Sequence, residues 1–187
     1  MKDIEITFDE HESIGYESLS IVNEPAIGEN FIALSEQKIK LAKMIEGRLV
    51  GAVLIPDLKI PRIDPRSGEV YNIFFSAETI RKIAYQSMRD GLLKNYNIQH
   101  EEKVNNICTV ESWIVEDSEK DKSAVYGFDV PVGTYMVVAE VNDEETKKRI
   151  ESGELKGFSI EYNPQKKEQV NLEAEATSLL KYLISAV

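Results

Sequence analysis

The stretch Leu155–Tyr162 reads LKGFSIEY, and its periodicity decides what kind of fold the chain can have. After Gly157, the large apolar residues Phe158 and Ile160 enclose one small polar residue, Ser159. That two-residue period belongs to a strand with one apolar and one polar face. A serine there is either a solvent-side strand residue or a nucleophile held on a rigid element. A base supplied elsewhere in the chain would favour the second.

Immediately upstream, Asn142 is placed to cap a helix with Glu145 as its reciprocal partner, and Gly153 to close it. Before that helix, Gly133–Val141 reads GTYMVVAEV, a strand. Downstream of Asn163-Pro164 comes a polar link, after which Leu172, Ala176, Leu179, Leu180, Leu183 and Ile184 fall on one helical stripe. The stripe suits core packing or a seam for a partner helix.

Further out, Gly47–Ile55 (GRLVGAVLI) is a nearly continuous apolar run bounded by Pro56 and then Pro61, the pattern of a buried strand. Arg62–Gly68 (RIDPRSG) carries turn residues, and Glu69–Phe75 (EVYNIFF) alternates as the returning strand of a hairpin. Ser76 caps a helix with Glu78 in its first turn, whose apolar face is Ile80, Ile83, Ala84 and Met88 and whose end is Gly91. Tyr96–His100 and Asn106–Glu116 read as two strands turning near residues 103 to 104. Tyr16–Ala26 reads as a short edge strand followed by an extended turn, and residues 31 to 45 fit strand or helix. The charged run Asp117–Ser123 is a solvated loop. The expected class is α+β, a small antiparallel β-barrel or strongly curved sheet surrounded by a few helices. Residues 1–46 would supply an N-terminal strand and connecting segment of the same domain, 47–165 its core, and 166–187 a C-terminal helix.

With 187 residues, 42% apolar and 29% charged, the chain suits one folded domain of the usual 100 to 200 residues or so. The net charge of −11 comes with scattered Lys and Arg, so the electrostatic footprint of a nucleic-acid binder is missing. An acidic surface instead favours basic protein segments. No apolar run reaches the roughly 18 residues of a membrane span, and the N-terminus does not read as a signal peptide. The single cysteine, Cys108, rules out an internal disulfide and reads as a buried small hydrophobe.

The chain's histidines are His11 and His100. His11, in DEHES, reads as a solvated loop residue. His100 ends a strand, where its ring is either structural or a base within reach of a neighbouring strand. Paired with Ser159 it would complete a nucleophile and base. Glu111 has the pleat parity to act as the orienting third member, and equally reads as a surface charge beside Trp113. No ligand spacing for a metal, no phosphate loop, no dinucleotide fingerprint and no Gly-x-Ser-x-Gly elbow is present, so no cofactor is expected.

Taken in order, NIQHEE, TVESWIVED, YGFDVPVGTYMVVAEV and SGELKGFSIEY resemble the prohead serine proteases of tailed bacteriophages, in particular their prophage-type branch. The resemblance runs from about Gly47 to Tyr162, with SIVNEPAIGENFIAL similar to that branch's N-terminal strand and turn. It implies a fold like that of the herpesvirus assemblins, a small β-barrel ringed by helices. It also implies an endopeptidase that matures capsids by cutting scaffold and major capsid protein inside the prohead, in the host cytoplasm. Ser159 would be the nucleophile and His100 the general base, with Gly157 either part of an oxyanion hole or a turn glycine. The chain departs from the assemblins, whose third member is a second histidine, because none follows Ser159. Glu111 matches the acid of the ESW motif and Glu173 is its rival, while Lys166 and Lys167 stand where the assemblins have oxyanion-holding arginines. The competing reading is a non-enzymatic prohead component that binds scaffold or portal through the same barrel and terminal helix. Homo-oligomerisation is left open.

Overall fold

A computed structural model describes residues 2–7, 16–23, 32–33, 48–64 and 66–162. The period-two segments become strands β1 (Lys2–Glu5), β2 (Tyr16–Val22), β3 (Ile32–Ala33), β4 (Arg48–Leu54), β5 (Ile60–Ile63) and β6 (Val70–Phe74). Helix α1 (Ala77–Arg89) follows, then β7 (Tyr96–Ile98), β8 (Glu102–Val104), β9 (Ile107–Ile114), the short helix α2 (Lys122–Val125), β10 (Tyr135–Val141), α3 (Glu144–Glu151) and β11 (Gly157–Tyr162).

These strands form three sheets, ordered β1-β6-β5, β3-β4-β10-β9 and β11-β2-β7-β8. The second is the centre of the core: every residue of β4 after Arg48, and all of β10 except Glu140, is buried. The third has one apolar and one polar side. Its inner side presents Leu19 and Ile21 from β2, Tyr96 and Ile98 from β7 and Phe158 from β11, each 3% exposed or less. Burying a side chain of that size is worth about 1.5–3 kcal/mol. β11 packs against β4, joining the two sheets through this apolar side. A hydrogen bond of 2.6 Å between the Tyr96 hydroxyl and Thr109 Oγ1 ties β7 to β9 inside the core. Burial pushes the Tyr96 phenol well above its ordinary pKa, so it stays protonated.

The mixed α+β class is as expected, but no closed barrel forms among the described residues. Two strand pairs, β1 with β6 and β2 with β7, are parallel. β2 is not an edge strand, since β11 and β7 flank it. The hairpin of the RIDPRSG turn joins β5 to β6, with Asp64 Oδ1 accepting from the amides of Arg66 and Ser67, while β4 pairs with β3 and β10. Ser76 caps α1 as read, and Ile80, Ile83 and Ala84 are buried. Met88, however, is 46% exposed. Ser87 takes the inward position because its hydroxyl donates to Ala84 O at 2.8 Å, satisfying it without leaving the helix. The second cap is Asp143, one residue later than Asn142, and it accepts from Thr146 N at 2.7 Å. Cys108 is half-buried instead of buried. His11, Lys166, Lys167, Glu173, the expected helix of 172–184 and most of 31–45 lie outside the described residues.

Candidate active site

Because Leu19 and Ile21 face the core, the pleat turns Ser18 and Ser20 to the other side of β2. The register then sets that side's neighbours. Ser159 on β11 lies directly across from Ser20, and Ser20 directly across from Asn97 on β7. Three strands thus present Ser159, Ser20 and Asn97 in one row, with neighbouring Cβ atoms about 5 Å apart.

His100 joins this row through a turn. Gln99 (φ 56) and His100 (φ 63) are both in the left-handed region, an uncommon conformation for residues with a Cβ. Asn97 holds it: its Oδ1 accepts from the His100 backbone N–H at 3.1 Å, and the Glu101 amide donates to Ile98 O at 3.1 Å. The turn brings His100 Nδ1 to 2.8 Å from Ser20 Oγ. Ser20 Oγ also contacts Asn97 Oδ1, and Asn97 Nδ2 donates to Ser18 Oγ at 2.8 Å. Ser18, Ser20 and Asn97 are all buried, so each needs these bonds, and the network satisfies them mutually. His100 itself is exposed and Ser159 half-buried. An open cleft of about 360 Å³ runs along the β7 side of the histidine, walled by Ser18, Asn97, His100, Glu101 and Lys103. Ser159 is on the opposite flank of Ser20 and is not part of that wall.

His100 and Ser159 therefore share one face of one sheet, but the hydroxyl bonded to the ring is that of Ser20. Glu111 lies elsewhere, on β9 in the other sheet, ion-paired with Lys122. Lys122 Nζ sits 4.9 Å from the Trp113 ring centroid, so Glu111 takes part in a surface cluster beside Trp113. The reason is the hairpin. Its turn falls at Gln99–Glu101, where Ile98 pairs with Glu102, and not at residues 103 to 104. β8 then ends after three residues and β9 leaves for the central sheet, which removes the parity argument for Glu111. Gly157 is not a turn glycine: it opens β11 opposite Val22, and the left-handed glycine of that connection is Gly153 (φ 74).

Sequence reasoning overlooked Ser20 and Asn97. The signal for Ser20 was its alternation with Leu19 and Ile21, and for Asn97 its position just ahead of a turn. Neither reveals that β2 and β7 would be neighbours.

Compared with known protein families, residues 43–168 match the model described as Putative phage serine protease XkdF. The chain belongs to this phage serine protease family. The family match spans the expected nucleophile and base together with β4 through β11, and it starts after β2. No curated protein and no solved structure matches the chain.

Proposed function

We propose that this member of the family is a serine endopeptidase that cuts scaffold and major capsid protein segments within the assembling prohead, in the host cytoplasm. The observation that carries the reading is the register of β11: it sets Ser159 beside the serine whose hydroxyl touches the His100 ring, although Ser159 and His100 are far apart in sequence. A half-buried serine on a strand, facing the serine that bonds an exposed histidine, suits the part of a nucleophile held on a rigid element.

In the proposed reaction Ser159 Oγ attacks the scissile carbonyl carbon while its proton passes to the histidine, forming a tetrahedral oxyanion. The C–N bond then breaks, the histidine returns that proton to the departing amine, and an acyl-enzyme remains. Water, deprotonated by the same ring, releases the acid and regenerates the serine. Gly157 precedes Ser159 by two residues on the same face of the pleat, where it is buried opposite Val22, and it is given no part in holding the oxyanion. Glu111, locked in its pair with Lys122, is not given a part in this scheme.

The test is labelling of the purified chain with a serine-directed phosphonate, read by intact mass and peptide mapping. Modification at Ser159 that disappears in His100→Ala is the expected result. Absence of label, under conditions where another serine protease reacts, would overturn the reading in favour of a scaffold- or portal-binding component.

A further inference from the structure

We infer that Ser20 is the positioning residue of the site, fixing the tautomer of His100 through Asn97; this rests on reading His100 as the base. A backbone N–H can only donate, so the side-chain atom of Asn97 that faces His100 N at 3.1 Å is its carbonyl oxygen. Its amide nitrogen accordingly donates to Ser18 Oγ at 2.8 Å. The same carbonyl oxygen contacts Ser20 Oγ, and because an amide oxygen only accepts, the single Ser20 hydroxyl proton goes to Asn97. At the 2.8 Å contact with His100 Nδ1, Ser20 oxygen is then the acceptor and the ring nitrogen carries the hydrogen. Chemistry thus puts the lone pair of the neutral ring on Nε2, the form in which a histidine oriented at Nδ1 takes a proton from a nucleophile. In triads of the usual kind a carboxylate does this work; here a hydroxyl backed by an amide does it.

Exposure separates the two serines. Ser20 is 0% exposed, so no peptide carbonyl reaches its oxygen, whereas Ser159 is half-buried on β11 at the end of the strand order. Ser20 therefore acts through the ring, and Ser159 is left to meet the substrate.

The experiment is nitrogen NMR of the imidazoles in the full chain, whose His11 and His100 are told apart with a His100→Gln variant, alongside the rate of phosphonate labelling. The wild type should show His100 with hydrogen on Nδ1. Ser20→Ala should move it toward the Nε2–H form that imidazole prefers in water, and slow labelling of Ser159 by at least about 10-fold. Ser20→Thr, which keeps the hydroxyl, should restore both. An unchanged tautomer and labelling rate in Ser20→Ala would overturn the inference, as would phosphonate found on Ser20. The tautomer is read without catalysis, so a chain that fails to label but shows the Ser20-dependent shift would sink the protease reading and leave the positioning role standing.

Discussion

At the scale of single residues, the site is a chain of polar groups in which each member has a defined partner, so small changes should have large and separable effects. Asn97→Ala removes the acceptor of both the His100 amide and the Ser20 hydroxyl. The buried hydroxyls of Ser20 and Ser18 then each lose a partner, and a destabilisation of about 1–3 kcal/mol is expected from thermal melts. Labelling of Ser159 should fall as well, because the left-handed turn loses its anchor. Glu111→Gln is the opposite case. It breaks an exposed pair with Lys122, for which about 0–1 kcal/mol is the usual worth, so stability and labelling rate should both stay close to wild type. A large drop in labelling of Glu111→Gln would restore that acid to the site.

The turns and caps that aim the strands dominate at the scale of elements. Gly133, with φ 93, opens the approach to β10, and a Cβ built on it would lie 2.6 Å from Ala77 Cβ at the start of α1. Gly133→Ala combines left-handed strain with a collision against a helix and should cost about 2–4 kcal/mol in a denaturant melt. Gly68, with φ 72 and nothing within 4 Å, provides the control: Gly68→Ala should cost about 1–2 kcal/mol, the strain alone. The cap of α3 feeds directly into β11. Asp143 is held below the ordinary carboxylate range by hydrogen bonds from the Thr146 hydroxyl and amide. A lowered folded-state pKa means that its stabilisation is present above the unfolded value of about 3.9 and is lost as the pH falls through that value and below. Asp143→Ala should thus be about 1 kcal/mol less stable than wild type at neutral pH, with the gap narrowing in acid. These elements were also where the sequence was most readable. The strands around Gly47, Gly133 and Gly157, the Ser76 cap and the turn of RIDPRSG follow from local period and turn chemistry. What stayed hidden depends on pairing between distant segments: β2 in the interior of its sheet, a hairpin turning at His100 instead of three residues later, and Glu111 carried off by β9. The alternation of Ser18, Leu19, Ser20 and Ile21 announces a strand with two faces but does not name its neighbours.

At the scale of the whole molecule, the family match and the physical unit have different boundaries. Residues 43–168 match the phage serine protease family, yet the strand between β11 and β7 is Tyr16–Val22, which precedes the match. A fragment limited to 43–168 would leave two unpaired strand edges and an apolar face missing Leu19 and Ile21. It is expected to lose cooperative thermal unfolding and phosphonate labelling together; a fragment that melts and labels like the full chain would show β2 to be dispensable. The same topology orders events in time. As a ribosome releases the chain, the polar row of this sheet is laid down from its middle outward: Ser20 emerges first, the histidine turn later, and Ser159 only after the other described strands have been made. Until that last segment docks, the nascent polypeptide carries an oriented histidine without the serine proposed to be its partner.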